Sequence, residues 1–559
     1  MQLTGAEILI ECLLEQQVDT IFGYPGGAVL NIYDALAKYS DRITHYLPSH
    51  EQGAAHAADG YARSTGKVGV CVATSGPGAC NLVTGIATAY MDSVPLIAIT
   101  GNVPLSLLGK DSFQEVDIFG ITMPITKHNF MVKNVEELAA TVRKAFFIAQ
   151  DGRPGPVLID IPKDVTAQKA EYVRETPKPI GRHTKNITPE AIENAIRMLK
   201  KSERPLVYVG GGAVQADAGA ELQEFVRIIN APVVSSLMGL GAYPGTDPYF
   251  CGLIGMHGTK TSNLSASKCD LLIAVGARFS DRVVSNPKRF APNASILHID
   301  IDPAEINKNI KTHGYIIGDV KIALQKLLEA MADEEFRDTS EWLQQVNEWR
   351  ETYPLTYNGG GLQPQYIVER IYALTDGEAL ITTEVGQNQI WSAQYYKFSK
   401  PRTFISSGGL GTMGFGLGAA IGTQIGNPDK RVINIAGDGS FRMNCNELAT
   451  AVEYELPIII VILNNRALGM VKQWQDLFYD RRFSQSIVDR QTDFVKLAEA
   501  YGAVGFNLTR KENVDEVLTQ ALAAGRPVVI NCEIDPDEKV FPIIPPGGAI
   551  DDPIMGVNQ

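Results

Sequence analysis

The stretch RVINIAGDGSFRMNCNELATAVEYELPIIIVILNN (431–465) decides the fold. RVINIAG and PIIIVILNN are short, rich in Val and Ile, and bounded by Gly or Asx, as strands buried on both faces are. Between them lie a Gly-flanked turn, GDGSF (437–441), and a helical pattern over NCNELATAVEY (444–454). Strand, turn, helix and second strand form the repeating unit of a parallel α/β sheet.

The same alternation extends outward along the chain. VGVCVAT (68–74), PLIAIT (95–100), PVLIDI (156–161), PLVYVG (205–210), DLLIAVG (270–276), SILHIDI (295–301) and PVVINCEI (527–534) are further apolar runs, separated by amphipathic stretches. The class is α/β, doubly wound, repeated several times. Two polar segments, 166–190 with three Pro and 333–362 with a charged and then Gly-rich composition, read as linkers. They divide the chain into domains at 1–170, 185–335 and 360–540, with a Pro- and Gly-rich tail at 541–559 that lacks regular structure but could fold over a site. No sequence repeat links the three units.

Composition excludes several functions. The chain has 559 residues, 45% of them apolar, and a formal net charge of -13, which argues against disorder and against a nucleic-acid or anionic-membrane partner. No apolar run reaches the ~18 residues of a membrane span, and the acidic start MQLTGAEILIECLLEQQ is no signal peptide. Seven scattered Cys without a CxxC fit reduced thiols in a cytoplasmic protein. No paired His or Cys spacing offers a zinc site.

Asp438 ends a strand between two glycines, and Asn465 ends the next. A carboxylate and an amide oxygen at neighbouring strand ends can share a hard cation, while Gly backbone and a helix start admit a diphosphate. GDG alone is equally a tight turn. A second motif pair lies in the first unit. SHEQGAAHAADGYARSTG (49–66) places Glu51 before a small-residue helix, and TSGPGACNLVTG (74–85) is another Gly turn into a helix. Alone, Glu51 reads as a first-turn helix charge.

Together these features carry a resemblance. GDG followed, after 24 residues, by NN resembles the fingerprint of thiamine-diphosphate enzymes. The Glu51 and TSGPG segments resemble the pyrimidine domain of their pyruvate-oxidase-like group. FGYPGGAVLNIYDAL, SFQEVDIFG, KHNF, GRPGPVLIDIPKD, GMHGTK, GARFSDRV, HIDIDPAEI, EVGQNQIW, GGLGTMGFGLGAAIG and ALGMVKQWQ extend the resemblance, over nearly the whole chain, to the catalytic subunits of the acetohydroxyacid synthase family.

The resemblance implies three doubly wound domains (pyrimidine-binding, FAD-type middle and diphosphate-binding) and an enzyme joining pyruvate to a second 2-keto acid, pyruvate or 2-ketobutyrate, for branched-chain amino-acid synthesis. It implies Mg²⁺ on Asp438, Asn465 and a main-chain oxygen near Ala467. Thiamine diphosphate would be held by Val385, Gly386, Gln387, Met413, Gly437, Gly439 and Ser440 besides Asp438 and Asn465, with Glu51 on its pyrimidine. Gly27 would place a backbone N–H at a developing oxyanion, and Gln114 would bond cofactor or intermediate oxygens. Arg282 would hold the acceptor carboxylate, with a salt bridge to Asp281 as the alternative. Trp474 would narrow the acceptor pocket, unless it is a core or interface Trp. Phe113 and Lys163 fall at the substrate channel, and Met256 and Met470 at the pocket wall.

GGGA (210–213), MHGT (256–259), GARF (276–279) and DID (300–302) punctuate the middle unit, as strand-end glycines and a ribose-binding acid would. FAD itself is implied by resemblance alone, as a structural cofactor on Arg153, Gly211, Gly212, His257, Gly258, Thr259, Gly276, Arg278, Asp300 and Asp319. Ser280 replaces an Asp of the family's RFDDR string, and Gly418 a common Pro. A flavin-free catabolic relative, a pyruvate oxidase and a non-catalytic scaffold are the alternatives. Trp474 and RFSDR weigh against the first, and the presence of Glu51, Asp438 and Asn465 against the last. The family further implies a homo-oligomer with interfacial sites and a small regulatory subunit, for which the sequence names no docking surface.

Overall fold

The computed structural model describes residues 1–357, 360–488 and 490–556. β1 (Gln2–Thr4) opens the chain. The first sheet comprises β2 (Thr20–Gly23), β3 (Thr44–Tyr46), β4 (Gly69–Ala73), β5 (Leu96–Asn102), β6 (His128–Met131) and β7 (Pro156–Pro162). β8 (Lys169–Glu171) then pairs back on β1 antiparallel. The middle sheet comprises β9 (Pro205–Val209), β10 (Val233–Ser235), β11 (Phe250–Leu253), β12 (Leu271–Val275), β13 (Ser295–Asp300) and β14 (Gly314–Ile317). The last comprises β15 (Leu380–Thr383), β16 (Phe404–Ile405), β17 (Val432–Gly437), β18 (Ile459–Asn464), β19 (Val504–Leu508) and β20 (Val528–Glu533). Each apolar run expected as a strand is one. All three six-stranded sheets are parallel, and β5, β7, β9, β12 and β18 are buried along their whole length, because helices cover both faces.

The sheet orders place the sites. The middle sheet runs β11-β10-β9-β12-β13-β14, which is 3-2-1-4-5-6 counted from its own first strand. This is the order that binds dinucleotides at the crevice between strands 1 and 4. The first and last sheets, β3-β2-β4-β5-β7-β6 and β16-β15-β17-β18-β20-β19, share one order, 2-1-3-4-6-5. Two units without recognisable sequence repetition therefore have one topology. In both, the strand order reverses beside the first strand, and ligands bind at such reversals.

The two like units pack through corresponding helices. Glu51–Thr65 follows β3, and Gly416–Gly426 follows β16, its counterpart. Their contact is backbone on backbone: a Cβ at Gly422 would lie 1.7 Å from the Ala57 carbonyl oxygen, and one at Gly60 2.2 Å from that of Ala419. The small residues that mark Glu51 in the sequence thus serve this seam.

A buried ion cluster fixes the seam's far end. Arg63 pairs with Asp59, donates to the Ser406 carbonyl at 2.8 Å, and reaches Asp92 Oδ2 at 3.1 Å. Asp92 in turn accepts from Gly408 N at 3.0 Å and Gly409 N at 2.7 Å. Breaking a buried charged pair costs about 3 kcal/mol. Asp92→Ala is therefore expected to lower the calorimetric melting temperature by several degrees, and an unchanged Tm would remove this clamp from the account.

Three local readings need correction. The helix after β17 begins at Asp438 and ends at Asn444, with Gly437 as its extended N-cap, so GDGS is the first helical turn and not a loop. The 333–362 segment holds a helix, Ser340–Thr352, whose Trp342 is buried and donates to the Pro205 carbonyl. In the 166–190 segment, β8 and the buried Tyr172 belong to the first unit. The tail carries an antiparallel bridge, Ile543 with Ile554, and binds the middle unit through Ile544 N to Met256 O at 2.9 Å.

Candidate active site

The end of the last sheet carries an unsatisfied anion. Asp438 is fully buried, and neither carboxylate oxygen has a hydrogen-bond partner among the described residues. Burial pushes its pKa up to about 6, opposed by Arg442, whose guanidinium stands 3.9 Å away. A buried carboxylate of this kind needs a cation. Asn465, at the end of β18, presents the right donor. Its Nδ2 gives a 3.0 Å bond to Gln387 Oε1, which turns Oδ1 toward Ala467 N at 3.2 Å. Gln387 is itself held by Gln473 and the Glu538 carbonyl. A carboxylate, an amide oxygen and the Ala467 main chain form an all-oxygen set that fits Mg²⁺. Among the described residues, no cluster of three His, Cys, Asp or Glu offers a thiol or imidazole site.

Beside it, Gly386 (φ 140) starts the Gln387–Tyr395 helix, and a Cβ there would stand 3.3 Å from Asn388 Oδ1, the atom that one at Gly437 would meet at 3.5 Å. Ser440 lies one turn inward, with its hydroxyl on the buried Glu384. Met413 is half-buried on the preceding loop.

A cavity of 1520 Å³ opens where the three units meet. Gly211 and Gly212 after β9 and Gly276 after β12 line it, at the reversal of the middle sheet. So do Arg153, His257, Arg278 and Asp300. Val385, Gly386, Met470 and Trp474 form its wall from the last unit, and Met256 and Arg282 from the middle one. Trp474 is half-buried and packs edge-on against Phe478, with ring centroids 5.6 Å apart. Arg282 is exposed; its Nη1 lies 3.5 Å from Met256 Sδ and its Nε 3.7 Å from Asp281. Arg153 is already engaged, with Glu305 at 2.7 Å, Asp302 at 3.1 Å and Ser93 Oγ at 2.7 Å. Burial pushes His257 down to about 4, so it is neutral at pH 7.

Other sequence candidates lie elsewhere. Gly258, Thr259 and Asp319 are absent from the cavity wall. Gly258 closes a tight turn, where a Cβ would meet the Leu253 carbonyl at 2.6 Å. Thr259 caps the Lys260–Lys268 helix, and Asp319 caps Val320–Met331 while pairing with Arg182 at 3.0 Å. Strand-end position alone does not separate a cap from a ligand.

The first unit's candidates form a separate group. Glu51 opens its helix, nearly buried, and its Oε2 accepts from Asn81 Nδ2 at 2.9 Å. A Cβ at Gly78 would stand 3.1 Å from Oε1, so the Gly keeps one face of the carboxylate clear. Gly27 has open space around it. Phe113 is 87% exposed, Gln114 takes φ 58 against Gly76, and Lys163 starts the short Lys163–Ala167 helix. None of Glu51, Gly27, Phe113, Gln114 or Lys163 lines the cavity. Sequence reading missed Glu384, Asp92 and Gln473, all buried polar residues whose partners lie far along the chain.

Comparison with known proteins supplies the class. Residues 3–121 match the N-terminal TPP binding domain of thiamine pyrophosphate enzymes, 192–327 their central domain, and 384–532 their C-terminal TPP binding domain. The fold is that of a thiamine pyrophosphate enzyme. The chain is 46% identical to the acetolactate synthase isozyme 3 large subunit of Escherichia coli, over 98% of each chain. It is 46% identical to the probable acetolactate synthase large subunit of Methanocaldococcus jannaschii, covering 98% of this chain and 94% of that one, and 47% identical to the acetolactate synthase large subunit of Parasynechococcus marenigrum, covering 98% and 90%. The chain belongs to the acetolactate synthase large-subunit family.

Proposed function

We propose that this chain catalyses the decarboxylating carboligation of pyruvate with a second 2-keto acid. Pyruvate as acceptor gives 2-acetolactate, and 2-ketobutyrate gives 2-aceto-2-hydroxybutyrate, the first common step of branched-chain amino-acid synthesis. The observation that carries this reading is the buried Asp438, whose carboxylate oxygens have no hydrogen-bond partner among the described residues, beside Asn465 in a chain of this family.

Thiamine diphosphate, when bound, supplies a nucleophilic carbon and a sink for the electron pair released with CO₂. Asp438, the Asn465 amide oxygen and the Ala467 main chain hold Mg²⁺, and the first turn from Gly437 to Ser440 offers backbone N–H groups to the diphosphate. Glu51 holds a proton against the cofactor's pyrimidine nitrogen. Arg282, exposed on the cavity rim, takes the acceptor carboxylate with its planar fork. Apolar walls from Met256, Met470 and Trp474 keep water from the donor carbon, so that it meets a ketone instead of a proton.

The middle sheet's 3-2-1-4-5-6 order and the glycines at its reversal support FAD in the cavity as a structural cofactor. Kinship with this family supports a second copy completing each site, giving a homo-oligomer with interfacial centres. We place the enzyme in the cytoplasm and keep a small regulatory subunit as a partner. Among the described residues, no helix is long and apolar enough to cross a membrane.

The direct test is incubation with pyruvate, thiamine diphosphate and Mg²⁺, with acid conversion of the product to acetoin. Absence of acetoin overturns the assignment, and a colourless purified protein overturns the flavin. Trp474→Leu should retain acetolactate formation but lose preference for 2-ketobutyrate. The expected change is about tenfold or more, the scale of one methylene in a fitted pocket. An unchanged product ratio with both acceptors present would remove Trp474 from selectivity.

A further inference from the structure

Glu384 follows β15 and is fully buried, with no lysine or arginine against it among its hydrogen-bond partners. Three donors converge on its carboxylate. Gly414 N reaches Oε2 at 2.8 Å, Ser440 Oγ reaches the same oxygen at 2.6 Å, and Leu417 N reaches Oε1 at 3.2 Å. These donors come from two segments far away in sequence. Gly414 and Leu417 flank the start of the Gly416–Gly426 helix, and Gly414 adjoins Met413. Ser440 belongs to the turn that carries Asp438. Glu384 itself precedes Val385 and Gly386.

The hydroxyl of Ser440 has one proton to give. It goes to Glu384, while the same oxygen accepts from Gly414 N at 3.0 Å. Its donor is therefore spent within the protein, and only the Ser440 backbone N–H remains for a diphosphate.

We propose that Glu384 is a positioning residue that registers three cofactor-facing segments on one carboxylate: Val385–Gly386, Met413–Gly414 and the Asp438–Ser440 turn. It acts through Ser440 and Gly414, without touching the cofactor. The assignment rests on the thiamine-diphosphate reading of this site. Glu384→Gln preserves shape but replaces one accepting oxygen by an NH₂ group. Whichever way the amide turns, an N–H faces another N–H or O–H, so the three segments can no longer share one anchor.

The test is a titration of the full-length protein with thiamine diphosphate at fixed Mg²⁺, followed by intrinsic tryptophan fluorescence. Glu384→Gln should weaken half-saturation by about tenfold or more, as loss of a residue that orients ligands does. Ser440→Ala, a small change that keeps its backbone N–H, should weaken it by several-fold. The double variant should be no weaker than Glu384→Gln alone, because the two groups act as one. If Glu384 only stabilised the fold, Ser440→Ala would leave half-saturation unmoved, and if the two groups acted independently, their effects would multiply. Either result overturns the proposal, and Ser440→Ala decides it alone if Glu384→Gln does not fold. No saturable binding by the parent overturns the cofactor reading and this assignment together. Parent binding that is unchanged in both variants overturns the assignment only.

Discussion

Glu51→Gln is expected to lower acetolactate formation by roughly two to four orders of magnitude, the range of a lost proton-transfer group. The substitution is nearly isosteric, so Gln can keep the Asn81 contact by turning its carbonyl toward Nδ2. What it loses is the ability to hold a proton at that position. Stability should move little. The helix is capped by the His50 side chain and not by Glu51. A first-turn carboxylate contributes about 0.3–1 kcal/mol to the helix. The measurements are the acetoin assay and a melting curve on the same preparation. Parental turnover in a folded variant would sink the role of Glu51. A variant that melts far below the parent would instead place Glu51 in the seam between the first and last units.

Asp438→Asn is the second large effect, and its two consequences have opposite signs. Activity should fall at least about 100-fold, because the amide brings no charge to the cation. The cofactor-free protein should be as stable as the parent or more so. In the parent, folding buries a carboxylate with no hydrogen-bond partner among the described residues, and Arg442 at 3.9 Å offsets only part of that cost. A gain of about 1 kcal/mol corresponds to a rise of roughly 2–4 °C in a unit of this size. Adding thiamine diphosphate and Mg²⁺ should then raise the parent's Tm and leave the variant's unmoved, since only the native parent binds them. A variant stabilised by the cofactors as much as the parent would show that Asp438 is not the ligand.

The sequence proposes these residues for different reasons. Asp438 and Asn465 announce themselves through spacing, because consecutive parallel strands bring their carboxyl ends together. Glu51 needed its family context, since a first-turn Glu is unremarkable by itself. Glu384 was not legible. EVGQ draws attention to Val385 and Gly386, and the carboxylate's partners lie 30 and 56 residues away. Asp319 and Thr259 show the opposite difficulty: a polar residue before a helix serves equally as cap or ligand, and both cap helices in the structure. The Ser340–Thr352 helix was hidden by its charges, although Trp342, Val346 and Trp349 recur at helical spacing on one side. The shared order of the first and last sheets left no trace in the residues, because topology constrains burial and connection but not identity.

The backbone contact at Gly60 and Gly422 also bears on motion. Side chains at an interface let packed helices slide by changing rotamers, which is how small shear displacements are accommodated. Where one main chain rests on another, that freedom is absent, and the first and last units must travel as one block. Any opening that admits a substrate of this size therefore falls to the middle unit and to surface loops such as the one bearing Phe113. The contact at Gly60 lies in the very helix that Glu51 opens, so the seam ties that carboxylate to the backbone of the last unit.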